Sequence, residues 1–100
     1  MTKEKILSVV DLYQDRFEKE KILKERIDLE KMIDLSDPNI RLRLLAHAHY
    51  LLDGIKQFVE NPKQLGKTGR HLGSVQTLLL VCGWYSLAEK MKHNWPDVQA

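Results

Sequence analysis

The stretch LGKTGRHLGSVQTLLLVCGWYSLAE, residues 65–89, decides the fold of this 100-residue chain. Leu72, Val75 and Leu79 recur at three and four positions and form one apolar stripe of a helix. Leu78, Val81 and Cys82 widen the stripe until nearly every face is apolar, which predicts a buried helix. The run is too short to span a bilayer, which takes ~20 residues. Gly83 stands where a helix ends in the left-handed conformation. Ser86, with Glu89 three positions on, spells a capping box. One helix therefore ends near Cys82, and a short one follows from Leu87 to about His93.

Gly66, Gly69 and Gly73 share one face of that helix. Each costs about 1 kcal/mol relative to alanine in a helix interior, a cost that close approach of a neighbouring helix would offset. Tight packing is the preferred expectation. The alternatives are a backbone surface open to a ligand or partner, and a loop over Gly66 and Gly69 with the helix starting near Arg70. Gly66-Lys67-Thr68 ends like a phosphate-binding loop, but Asn61 stands where its first glycine belongs and no strand precedes it.

Asn61-Pro62 ends the preceding helix. Its start is marked by Ser36 or Asp37 as cap with Pro38 at the first helical position, which predicts a helix over residues 38–59. Ile40, Leu44, His47 or Ala48, Leu51, Ile55 and Phe58 line one face; Leu42, Leu45, His49, Leu52 and Val59 line a second. Two apolar faces predict packing on both sides, one of them a homodimer interface. The short connection to the glycine-bearing helix predicts an antiparallel pair. Asp53 is expected either as an exposed carboxylate or in an ion pair with Arg70.

At the N-terminus, Thr2 caps a helix over residues 3–19, with Ile6, Val10, Tyr13 and Phe17 on its apolar face. Residues 18–31 are charged at ten of fourteen positions. Continuing the stripe would bury Glu20 and Lys24, so a break is expected near Glu20. Ile22, Leu23, Ile27 and Leu29 then dock on a second subunit or pack across the bundle. Trp95 is expected to fold back over apolar surface.

The net charge of +2 does not by itself imply nucleic acid. One cysteine, Cys82, excludes an internal disulfide and reads as a small core residue. The first residues, MTKEKILSVVD, lack an apolar run of signal-peptide length, which makes the cytoplasm the default. The best polar feature is a basic cluster: Lys63, Lys67, Arg70 and His71 have no acidic neighbour between Asn61 and Gly73. It reads as a solvated turn, or as a surface for an acidic protein or a nucleic-acid backbone, with Arg41 and Arg43 as outliers of the same sign. His47 and His49, two apart, point to nearly opposite sides of a helix and cannot share one metal as an i,i+4 pair would. One is expected in the core and the other at an interface or surface. No catalytic constellation, metal site or cofactor site can be picked out.

Arg70, Leu72, Gly73 and Gln76, followed by Gly83, Tyr85, Ser86, Glu89, His93 and Asn94, resemble the C-terminal half of small uncharacterised proteins of bacteriophages and prophages. The resemblance brings no activity; it implies an intracellular setting and proteins that act by binding host or phage components.

The expectation is an all-α fold in one domain over residues 1–100: a small bundle of three main helices plus a short C-terminal one, dimeric. The expected function is that of a non-enzymatic module that binds and modulates another intracellular protein through Lys63, Lys67, Arg70, His71, Arg41 and Arg43. The alternative is a nucleic-acid-binding accessory protein using the patch at residues 63–71. No cofactor and no membrane association are expected.

Overall fold

Among the described residues four α-helices form: α1 Lys3–Lys19, α2 Ile40–Phe58, α3 Leu65–Val81 and α4 Leu87–Asn94, with one 3-10 turn, Pro62–Gln64, leading into α3. The computed structural model describes residues 1–28 and 30–95. Among these the architecture is all-helical, and no helix is long and apolar enough to cross a membrane.

Local chemistry sets the ends. The Thr2 hydroxyl accepts the Lys5 N–H and opens α1. At the other end of α1, the Ile22 N–H donates to the Phe17 carbonyl and the Lys21 N–H to the Glu18 carbonyl. This paired closure of a helix C-terminus needs a left-handed residue, normally glycine; here it is Lys21, at φ 57°. The same closure ends α3, with Trp84 N–H on the Leu79 carbonyl, Gly83 N–H on that of Leu80, and Gly83 at φ 79°. Ser86 and Glu89 form the expected capping box of α4.

The start of α2 departs from expectation. Asp37 does not cap a helix beginning at Pro38. Its carboxylate accepts the Asn39 N–H and pairs with Arg43 at 3.1 Å, holding a turn over residues 37–39, so the helix starts at Ile40. Its last residue is Phe58, with Val59 as cap.

α2 and α3 run antiparallel. Arg41 near the start of α2 donates to the carbonyl of Cys82 past the end of α3, while Phe58 meets His71 and Lys67 near the other end. The thiol of Cys82 returns to the Arg41 carbonyl at 3.7 Å; the cysteine is a buried core residue, and burial raises its pKa. α1 packs on α2 and α4, burying Ile6, Val10, Tyr13 and Phe17 as its stripe predicts. Phe17 stacks on His49, with ring centroids 4.5 Å apart and planes within 6°, and meets Trp84 at 4.9 Å. Arg16 lies over the Trp84 ring and donates to its carbonyl, tying the α3–α4 link to α1.

α3 is amphipathic rather than buried all round. Thr68, Leu72, Val75, Gln76 and Leu79 form the inward face, whereas Val81 is 69% exposed. The glycines lie beside that face, so the tight-packing expectation fails. A Cβ on Gly69 or Gly73 would meet nothing within 4 Å. The loop alternative fails too, because Gly66 and Gly69 are helical. At Gly54 of α2 a Cβ would sit 3.3 Å from the Phe58 ring of its own helix and, at ordinary contact distance, 3.7 Å from that of His71.

Residues 20–28 and 30–39 form an irregular strap rather than a helix. Ile22 and Ile27 pack on this chain's own core, the across-the-bundle alternative, while Leu23 stays 81% exposed. Leu29 lies outside the described residues. Trp95 does not fold back; it is 54% exposed.

Lys21→Gly removes the left-handed penalty of a side chain, roughly 1–2 kcal/mol, less the extra chain entropy of glycine. Urea unfolding is expected to show a gain of up to about 1 kcal/mol in the variant.

Candidate functional site

The described residues of the strap form no helix or sheet of their own, and a buried amide without a partner is costly. α2 supplies the partners. His49 Nδ1 lies 2.8 Å from the Ile22 carbonyl, His47 Nδ1 is 3.1 Å from the Ile27 N–H, and the Ala46 carbonyl accepts the Glu25 N–H. The partners assign the protons. A carbonyl only accepts, so His49 carries its proton on Nδ1. An N–H only donates, so His47 is unprotonated on Nδ1 and carries its proton on Nε2. Gln14 agrees: its oxygen accepts from Lys56, its amide nitrogen donates to Glu18, and the same nitrogen donates to His49 Nε2 at 3.0 Å.

Both rings are therefore neutral, and both are only 5% exposed, where one was expected at an interface or surface. Burial lowers both pKa values. Arg26 adds to the effect at His47, and at His49 the Ile22 carbonyl works against it.

A second polar cluster joins α1, α3 and α4. The Gln76 amide donates to Tyr13 Oη at 3.1 Å and exchanges two hydrogen bonds with the Asn94 amide, while Tyr13 Oη lies 2.8 Å from His93 Nδ1. Burial pushes the Tyr13 phenol up to about 12 and lowers the pKa of His93. Among the described residues every buried side-chain nitrogen and oxygen is hydrogen-bonded.

A concavity lies between the strap, α2 and α3. It is a groove of about 940 Å³, and Leu44, Leu51 and Leu78 form much of its floor. Lys67, Arg70 and His71 stand along one side, and Lys90 of α4 reaches it beyond Gly73; among the described residues none of the groove's lining side chains is a carboxylate. Lys67 Nζ lies 4.2 Å from the centre of the Phe58 ring, a cation–π contact, and His71 meets that ring edge-on. A second hollow of about 350 Å³ lies along Gly69 and Gly73 and shares Gly73 and Lys90 with the groove.

Three of the six residues expected to bind a partner, Lys67, Arg70 and His71, are thus brought together. Lys63 is exposed on the 3-10 turn and does not line the groove. Arg41 is engaged with the Cys82 carbonyl and Arg43 with Asp37, so both serve the fold and stand apart from the patch. Asp53 pairs with Lys24 of the strap, at 3.0 Å, rather than with Arg70. The phosphate-loop likeness has no counterpart, since Thr68 is fully buried and bonded to the Gln64 carbonyl. His47 and His71 both face the groove, yet among the described residues no group of three or more His, Cys, Asp or Glu could hold a metal ion.

Sequence reasoning missed the groove's strap wall, the Gln76–Asn94 pair, and Arg16 with Trp84. The signals were a buried-face glutamine at Gln76 and two apolar residues, Ile22 and Ile27, five apart in a charged run.

Two expectations follow. In the unfolded chain histidine takes up a proton near pH 6.5, whereas the lowered values of His47, His49 and His93 keep the folded chain from doing so. Stability is therefore complete above about pH 6.5. It falls as the pH drops below that, until the folded-state values are passed. Urea unfolding between pH 7.5 and 5 checks this, and the protection of the Ile27 amide relative to its intrinsic exchange rate should fall in step. Gly69→Ala and Gly73→Ala should each raise stability by about 0.5–1 kcal/mol, because the added methyl meets open space. Gly54→Ala should gain less, because the Phe58 ring must move.

No family model matches the chain, and no curated protein or solved structure matches it either.

Proposed function

We propose that this chain is a non-enzymatic protein-interaction module, phage-derived and cytoplasmic, that binds and modulates another intracellular protein. One observation supports the reading above the rest: an aliphatic groove has Lys67, Arg70 and Lys90 around it and, among the described residues, no carboxylate in its lining. Such a surface is complementary to a partner that is apolar at its centre and acidic at its edge. Lys63 adds charge close to the start of α3.

The homodimer expected from the two apolar faces of α2 has weaker support. α1, α3 and the strap cover most of both faces, including every residue from Leu44 to His49.

The test is capture from a bacterial lysate with tagged protein, with and without nuclease, beside a Lys63→Glu/Lys67→Glu/Arg70→Glu variant. All three residues are exposed, so the variant should keep its fold. The expected outcome is a stoichiometric protein partner that survives nuclease and falls at least about ten-fold in the variant. Recovery of nucleic acid alone, with binding that weakens steeply as salt rises, would replace this reading with that of a nucleic-acid-binding accessory protein.

A further inference from the structure

The groove has the form of a seat for a helix. Its α2 wall uses Leu44, His47 and Leu51, spaced i, i+3, i+7. Its α3 wall runs from Lys67 through Arg70, Ser74 and Leu78, again one helical face. Two antiparallel helices presenting such faces leave a channel into which the ridge of a third can settle. At 1.5 Å per residue, the α3 wall from Lys67 to Leu78 is about 16 Å long, or roughly three turns.

The floor is only partly closed. Leu44 is buried, but Leu51 and Leu78 are half-buried, and Ile33 on the strap side is 41% exposed. Ser74 and Thr77, small and exposed, leave the rim low. The charge is one-sided, with Lys67 and Arg70 on one wall and Lys90 beyond Gly73 at the same edge.

Resting on the interaction reading above, we infer that the groove's occupant is an acidic amphipathic helix of about three turns belonging to the partner protein. Its apolar residues, spaced i, i+3 or i+4, and i+7, lie on Leu44, Leu51 and Leu78, and its carboxylates face Lys67, Arg70 and Lys90. This is helix-in-groove recognition, in which buried aliphatic anchors supply affinity and the flanking charges set orientation.

The full chain is to be panned against a displayed library of random peptides of about 14 residues, long enough for three to four turns. Enriched peptides are then synthesised and titrated by fluorescence anisotropy into the wild type and three variants. Enriched sequences should be acidic, with apolar residues at helical spacing. Lys67→Glu/Arg70→Glu should weaken them about ten-fold or more. Ser74→Trp, which fills the channel from an exposed position, should weaken them comparably, whereas Ser74→Ala should not. Urea unfolding of each variant separates lost binding from lost fold.

Enrichment of neutral or basic peptides, equal binding to Ser74→Trp, or no enrichment at all would overturn the assignment. So would preferential uptake of dodecanoate or of a 20-nucleotide strand at the same residues, in favour of a small anionic amphiphile or of nucleic acid. If the lysate partner still depends on Lys63, Lys67 and Arg70 while the peptides fail, only the helical occupant falls. If that dependence also vanishes, the interaction reading falls with it.

Discussion

The backbone between α1 and α2 has to be hydrogen-bonded without a helix or sheet of its own, and two imidazoles of α2 meet that need. His49 takes the carbonyl of Ile22 and His47 the N–H of Ile27, while the Ala46 carbonyl takes the N–H of Glu25 between them. The strap thereby crosses α2 from one flank to the other. Lys24 adds a pair with Asp53, but both are exposed and such pairs contribute little. Ile27 supplies the apolar weight, being 6% exposed.

The groove inherits its shape from that attachment. Ile27 and Ile33 of the strap line it together with the facing sides of α2 and α3. α3 is placed in turn by its antiparallel contact with α2, and by Gln76, whose amide bonds to Tyr13 of α1 and Asn94 of α4. A buried polar cluster of this kind favours one arrangement over alternatives, because misplacing any member strands the rest. The exposed cations of α3 thus project from a helix held on two sides, a sounder base for recognition than a mobile loop.

The helices were readable because their signals are local. Thr2, the Ser86–Glu89 box, Gly83 and the 3.6-residue stripes each act within a turn or two. The start of α2 was misread by two residues because Asp37 spends its carboxylate on the Asn39 N–H and on Arg43, a choice that Ser-Asp-Pro-Asn does not reveal. The glycine face was misread because small residues signal close approach only if a neighbour lies opposite them, and rotation of α3 is set by Thr68, Leu72 and Gln76. Of the candidate site, Lys67, Arg70 and His71 were visible as charge clustered in sequence. The aliphatic floor was not, since Leu44, Leu51 and Leu78 come from two helices, and each reads equally well as core.

The two histidines carry opposite tautomers two residues apart on one helix, His47 with its proton on Nε2 and His49 with its proton on Nδ1. A ring nitrogen that bears a proton and one that does not resonate in well-separated nitrogen-15 ranges. Each flank of the strap therefore carries its own spectroscopic reporter, built from native atoms. Detachment at Ile27 would register on His47 alone and detachment at Ile22 on His49 alone, so the order in which the strap lets go of α2 is written in two imidazole spectra.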